Sequence, residues 1–469
     1  MAKLGRRDFL SRGAVLISAG WAVPSFIAES ARRIDEGSPF ANVAHAAGRR
    51  VLVIVQLSGG NDGLNTVVPY TDPLYASPSG RTSLAVPAGS VLPLNGSVGL
   101  NPLLTRLKSR WDRGQVAIVQ GVGYPNPNRS HFRGTEIWES ATPDHRETKG
   151  WVGRYLEACA CQRSDHLEAI TVGSNVTAPT LWTEMSLVPA IASISSFRFT
   201  GSYLGTDPNN TQRASEIQTL RNALSQTNSR AEAEFLRQSV LVALTDAEIL
   251  NAAAASYQPS GVYPANSFGD ALRTVAQLAV VDVGTTIFYV SLGGFDTHAS
   301  QAAAHPQLLD TLDRGIDAFM YDMEARGKAN DVVLMTFSEF GRRLKQNSSG
   351  GGGTDHGTAA PMFLVGGGIN HGLFGAHPSL SDLDQGDLKM TVDFRSVYAT
   401  VLNDWLNITP TGVLGGNFPL LDLFPRPAGS PPRSRTTVNT AGPASPRPVH
   451  RVAAPPSGQP TVRAPAARP

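Results

Sequence analysis

RVLVIVQL, residues 50–57, runs directly into SGGNDGLN, residues 58–65. The first eight are nearly all apolar and rich in β-branched Val and Ile, too short for a buried helix and without the alternation of a strand that has one wet face. They read as a strand covered on both faces, the habit of parallel sheets, and the glycines that follow read as a tight loop at its carboxyl end. Four more runs share this character: Val116–Val122, Thr286–Leu292, Val332–Phe337 and Met362–Val365. Between them lie helical patterns. Leu308, Leu309, Leu312, Ile316, Phe319, Met320 and Met323 mark one face of an amphipathic helix, and similar periodicity covers about 100–112, 213–252, 268–281 and 394–407. Strands alternating with helices predict an α/β fold, a doubly wound, mostly parallel sheet with helices on both faces. Such sheets bind ligands beyond the carboxyl ends of their strands. Residues 174–266, polar and Ser/Asn-rich and then helical, read as an insertion in a domain spanning 47–425.

The chain has 469 residues, of which 41% are apolar and 17% charged, with 46 Gly and 33 Pro. That apolar share excludes a wholly disordered chain, and the Gly and Pro content predicts many loops. The formal charge of +2 is unevenly spread. Residues 426–469 hold seven Arg and no acid, and residues 1–46 hold six basic and four acidic groups, which leaves seven more acidic than basic residues in 47–425. An acidic middle argues against a nucleic-acid partner, whose footprint is a basic face.

The ends read as separate from the fold. Gly5-Arg6-Arg7-Asp8-Phe9-Leu10 precedes an apolar run, Ala14 to Ala28, broken by Ser, Gly and Pro. The pattern resembles a twin-arginine export signal, with Ala44-His45-Ala46 as a small-x-small cleavage site; it also reads as a basic N-terminus before a buried helix. The run falls short of the roughly 20 apolar residues of a membrane span. Residues 1–46 are therefore expected to be a leader read by the twin-arginine translocation machinery, and the mature protein to be periplasmic or extracellular. Residues 426–469, with eleven Pro, read as an extended tail, either simply solvated or touching an anionic cell envelope. Cys159 and Cys161 sit two apart in a helical pattern, where side chains do not share a face, so they read as small apolar groups.

Chemistry gathers at the strand ends. Asp62 follows the first strand, Asp296 and His298 follow the Thr286 strand, Glu339 follows the Val332 strand, and Asp355 and His356 precede the Met362 strand. Carboxylates and imidazoles converging on one sheet edge need a cation or hydrogen bonds to offset their repulsion and desolvation, and mixed Asp, Glu and His ligands suit a divalent ion such as Zn, Mn, Mg or Ca. Taken singly, each also has a plain structural reading: Asp62 as a turn cap, Asp296 as a helix cap, His298 as a loop His and Glu339 as a partner of Arg342. The Val116 strand leads to Asn128-Arg129-Ser130-His131, where a helix starting near Ser130 would hold its hydroxyl at a positive helix end. Ser130 reads either as an oxygen nucleophile for phosphoryl or sulfuryl transfer or as an N-cap.

NDGLN (61–65), GGFDTH (293–298), FSEFGRR (337–343), GTDHG (353–357) and VDFRSVYATVL (392–402) together resemble the domain of unknown function 1501 family, similar in turn to the alkaline phosphatase and sulfatase superfamily. The resemblance covers about 47–425. It implies an alkaline-phosphatase-like fold and a metal-dependent hydrolase of anionic phosphate or sulfate esters. It makes Asp62 a first metal ligand, Ser130 the nucleophile, Asp296 the start of a ligand pair whose histidine stands at plus two as His298, and His356 the last histidine ligand. Ser338-Glu339 stands where the superfamily has Asp-His, so Glu339 becomes a substitute ligand. Asp355 is expected to orient His356, and Arg342 or Arg129 to clamp the anion. The alternative is a non-catalytic binding or structural protein of the cell envelope with a degenerate metal site.

Overall fold

Val51–Ser58 (β1) lies near the middle of a nine-stranded sheet and pairs in parallel on both sides. In the computed structural model, residues 49–433 are described apart from 160–166, 185–187, 194–210, scattered positions within 228–256, 282–283, 349–351, 428 and 432. The expected leader and nearly all of the tail lie outside the described residues, as does Cys161. The other strands of the sheet and of a hairpin beside it are β2 (Val116–Gly123), β3 (Ala169–Val172), β4 (Ala190–Ile191), β5 (Ile287–Gly293), β6 (Val332–Phe337), β7 (Arg342–Asn347), β8 (Gly353–His356), β9 (Ala360–Gly366), β10 (Gly372–Phe374) and β11 (Val392–Asp393). The sheet order is β10-β2-β9-β6-β1-β5-β3-β4, with β11 also on β2, and β7 pairs with β8 as the separate hairpin.

The helices are α1 (Thr105–Asp112), α2 (His131–Ser140), α3 (Trp151–Cys159), α4 (Thr211–Ala223), α5 (Ser267–Val281), α6 (Gln301–Ala325) and α7 (Phe394–Thr400). They cover both faces. Val53, Val55 and Leu57 enter one core with Leu107 of α1, Leu272 of α5 and Ile316 of α6. Leu52 and Ile54 enter the opposite core with Trp138 of α2, Trp151 of α3 and Tyr398 of α7. A period of two along one strand thus fills two cores, which is why β1 carries no polar face. The fold is the expected α/β sheet with helices on both sides, and it is mostly parallel.

One strand departs from expectation. The Met362 run, read as one of the parallel strands, lies in β9, which is antiparallel to both β2 and β6. The chain leaves the sheet at Phe337, stays at that edge through the β7–β8 hairpin, and re-enters the sheet from the same edge at Ala360. A parallel return needs a crossover that carries the chain to the opposite edge first. Of 174–266, the described parts include β4, which joins the sheet edge beside β3, and α4. Among the described residues, no helix is long and apolar enough to cross a membrane.

Candidate metal centre

The carboxyl ends of β1, β5 and β6 adjoin, with Ser58 level with Gly293 and Gln56 level with Phe337. Their loops meet without side-chain spacers. Gly59 has φ +118°, and a Cβ there would lie 2.3 Å from the Asp296 backbone nitrogen, so the β1 turn rests directly on the loop carrying Asp296. Arg342, fully buried at the start of β7, ties these loops together. Its Nε donates to Gly60 O at 2.7 Å, Nη1 to Thr354 O at 2.7 Å, and Nη2 to Phe295 O at 3.0 Å, to Gly59 O, and to Asp296 Oδ1 at 2.8 Å. For Asp296, partial burial raises the carboxyl pKa, but the bonds from Arg342 and then His356 outweigh it and hold it at about 2.

Three imidazoles face this carboxylate. His131, the first residue of α2, points Nε2 toward Asp296 Oδ2 at 3.4 Å, and that buried nitrogen has no hydrogen-bond partner. His298 Nε2 lies 3.1 Å from Asp296 Oδ1 and 2.8 Å from His356 Nε2. His356 Nε2 is itself 3.1 Å from Asp296 Oδ1. The far nitrogen of each ring is held by an acceptor: His131 Nδ1 by Glu339 Oε1 at 2.8 Å, His298 Nδ1 by Asp355 Oδ1 at 3.1 Å, and His356 Nδ1 by the Arg129 carbonyl at 2.8 Å. Carboxylates and carbonyls only accept, so each Nδ1 carries the proton. In the neutral rings each Nε2 then presents its lone pair on the side of the Asp296 carboxylate. Burial lowers the pKa of His356, which favours its neutral ring.

This donor set fits a metal ion. The ligand atoms of His131, Asp296 and His356 all lie within 4.8 Å of one another. Zinc bonds of about 2.0–2.1 Å place tetrahedral ligand atoms roughly 3.3 Å apart, and the four contacts just given run from 2.8 to 3.4 Å. Imidazole nitrogens with one carboxylate favour a transition metal over Ca or Mg, and the carboxylate–histidine pairs are the usual outer support of such ligands. Asp296 is 49% exposed, so one side of the cluster is open to solvent.

The structure brings together Asp296, His298 and His356 of the expected ligands and places the others differently. Asp62 is fully buried and paired with Arg81 Nη2 at 2.7 Å. Its other oxygen accepts from Gln301 Nε2 at 2.5 Å, and it caps the single turn Gly63–Thr66. With both oxygens engaged there it is not a member of the cluster. Glu339 stands behind His131 rather than in the cluster: it is buried, and its Oε1 accepts from the Gly59 amide at 2.8 Å and holds His131 Nδ1 at 2.8 Å. Asp355 supports His298, not His356. Arg342 is no anion clamp, because its guanidinium is spent on loop carbonyls and Asp296. Arg129 pairs with Asp387 at 2.6 Å, and its contribution to the cluster is a carbonyl. Ser130 is the exposed N-cap residue of α2, and its side chain makes no capping bond. Sequence reasoning does not single out His131. The available signal is its position, one residue past Ser130 at the same sheet edge.

Fold and site together define an α/β protein with a three-histidine, one-carboxylate cluster at the carboxyl edge of a mostly parallel sheet. The family model described as "Protein of unknown function (DUF1501)" matches residues 118–413, and the chain belongs to that family. No curated protein matches it. Solved structures that resemble it include the C-terminal periplasmic domain of EcEptC from Escherichia coli, at 8% identity and TM-score 0.35 over 79% of this chain and 89% of that one. An alkaline phosphatase superfamily protein from Vibrio parahaemolyticus gives 8% and 0.33 over 79% and 71%. The PsFucS1 sulfatase from Pseudoalteromonas sp. gives 10% and 0.31 over 81% and 70%.

Proposed function

We propose that this chain is a metal-dependent hydrolase of phosphate or sulfate esters that acts outside the cytoplasm, delivered there through the arginine pair at Arg6-Arg7. The observation that carries the reading is the convergence of three Nδ1-locked histidines on Asp296. A divalent ion held there by His131, Asp296, His298 and His356 supplies Lewis acidity to an ester oxygen. The chain's own residues do the rest. Glu339, Asp355 and the Arg129 carbonyl fix the ligand tautomers. The positive end of α2 favours a developing anion, and Ser130, exposed beside His131, is the attacking hydroxyl.

Elemental analysis of protein purified without added metal, followed by turnover of phosphate and sulfate monoesters, tests this. Bound metal and ester hydrolysis are expected, with a fall in kcat for Ser130→Ala on the order of 10⁶-fold, the scale of losing a nucleophile rather than a contact. Metal-free protein removes the reading; undiminished hydrolysis by Ser130→Ala removes that residue as nucleophile. Glu339→Gln, which frees His131 Nδ1 from its carboxylate, is expected to weaken metal binding by roughly 10–100-fold in competition with a chelator.

One observation favours a second reading, a non-catalytic envelope protein with a structural metal. Both arginines expected to grip an anion are already engaged, Arg342 by carbonyls and Arg129 by Asp387. Stoichiometric metal with no turnover across the ester panel would select it.

A further inference from the structure

We propose that the cleft beside the cluster is a subsite for a neutral, hydroxyl-rich ring, so that the ester presented to the metal centre is carried on a sugar. The substrate assignment rests on the ester reading above; the subsite itself does not. The cleft has a volume of about 440 Å³, within the usual range for small-molecule sites. His131, Thr135 and Glu139 line it, and their spacing of four puts them on one face of α2. The floor therefore runs from the cluster along two helical turns, about 12 Å. Thr148, Gly150 and Trp182 form part of the facing wall.

Three features select a neutral polyol. First, two of the three exposed large aromatics among the described residues stand on this cleft, Phe132 at 91% and Trp182 at 48% exposure. The Trp182 indole is held in place by its Nε1 donating to Thr177 O at 3.1 Å. Exposed aromatic faces gathered at one cleft mark a contact site and suit the apolar C–H face of a sugar ring. Second, the charges in the cleft are held by local partners. Glu136 is held by Arg133 at 2.8 Å and Arg146 at 3.3 Å, Lys149 by Glu157 at 3.0 Å and Glu184 at 3.6 Å, and Glu147 accepts from the Thr148 and Lys149 amides. Third, Glu139 is buried, and that burial, partly relieved by the Tyr289 hydroxyl at 3.2 Å, pushes its carboxyl up to about 8. At neutral pH it is a hydrogen-bond donor as well as an acceptor. The cleft thus offers neutral hydroxyl and carboxyl partners under aromatic faces.

The test uses calorimetry and tryptophan fluorescence on the full chain with its bound metal. The probes are galactose 6-sulfate and glucose 6-phosphate against methyl sulfate and methyl phosphate, with methyl galactoside and methyl glucoside as ester-free rings. At least one hexose ester is expected to bind tenfold or more tightly than the methyl ester of the same charge. Trp182→Ala and Phe132→Ala are expected to bring that ratio to within twofold of one; Phe132 is so exposed that its removal leaves the fold alone. No hexose advantage, or an advantage surviving both variants, overturns the subsite. Failure of the ester reading shows differently: methyl hexosides still perturb the fluorescence of Asp296→Ala protein, while neither methyl ester binds the wild type.

Discussion

Asp296→Ala is expected to leave the protein folded and to remove its metal, with at least about a 10²-fold loss of affinity, beyond the 10–100-fold typical of outer support residues. Asp296 is the one anion among the four ligands. Without it, the Arg342 guanidinium loses its counter-charge beside the site, and the remaining carboxylates, Glu339 and Asp355, lie one imidazole ring further from the ion. The fold survives because Asp296 is half exposed and Arg342 keeps its four carbonyl partners. Asp296→Asn separates charge from hydrogen bonding: the amide oxygen still accepts from Arg342 but carries no charge. Since the carboxyl is held at about 2, the wild-type group is ionised throughout the neutral and mildly acidic range. The Asn variant should therefore lose metal nearly as fully as Ala, while its Tm without metal stays within a few degrees of wild type. Full metal occupancy in the Asn protein, read by elemental analysis, would show that the cluster does not depend on this charge and would point to an ion held elsewhere.

What was legible in the sequence follows from where each residue's partners lie. The strands were legible because β1, β2, β6 and the first four residues of β5 are buried on both faces, and that demand writes a continuous apolar run into the chain. The direction of β9 was not, because parallel and antiparallel strands share that composition; the direction follows from the chain staying at one sheet edge between Phe337 and Ala360. Asp296, His298 and His356 were legible as polar groups at strand ends. The roles of Asp62 and His131 were settled by distant partners. Arg81 arrives from a loop nineteen residues on to claim Asp62, and Gln301 at the start of α6 takes its second oxygen. His131 becomes a candidate ligand only because Glu339, 208 residues away, fixes its Nδ1. Neither pairing leaves a local signature. Arg342 looked like an anion clamp for the same reason: sequence shows a cation near the site, while its burial and its carbonyl partners appear only in three dimensions.

That burial gives the largest expected effect on stability. Arg342→Lys should cost about 3–5 kcal/mol, the range for breaking a buried charged network, seen as a fall in Tm of roughly 5–10 °C. A lysine keeps the charge but not the planar fork. Nε, Nη1 and Nη2 reach carbonyls of the β1 turn, the Asp296 loop and β8 from different directions, and a single ammonium cannot serve them all. Each buried carbonyl left without a donor costs about 1–3 kcal/mol. The same change loosens the seat of Asp296, so metal affinity should fall with Tm. Arg129→Ala is the informative contrast. Its guanidinium is 40% exposed, its partner Asp387 keeps Arg343 at 3.0 Å, and the carbonyl that holds His356 belongs to the backbone and survives the substitution. Tm should move by no more than about 1–2 °C, in line with the small worth of a partly exposed ion pair, and metal should be retained. A Tm left unchanged by Arg342→Lys would mean that the charge alone suffices, and that the loops around Asp296 are held by the glycine contacts rather than by the buried fork.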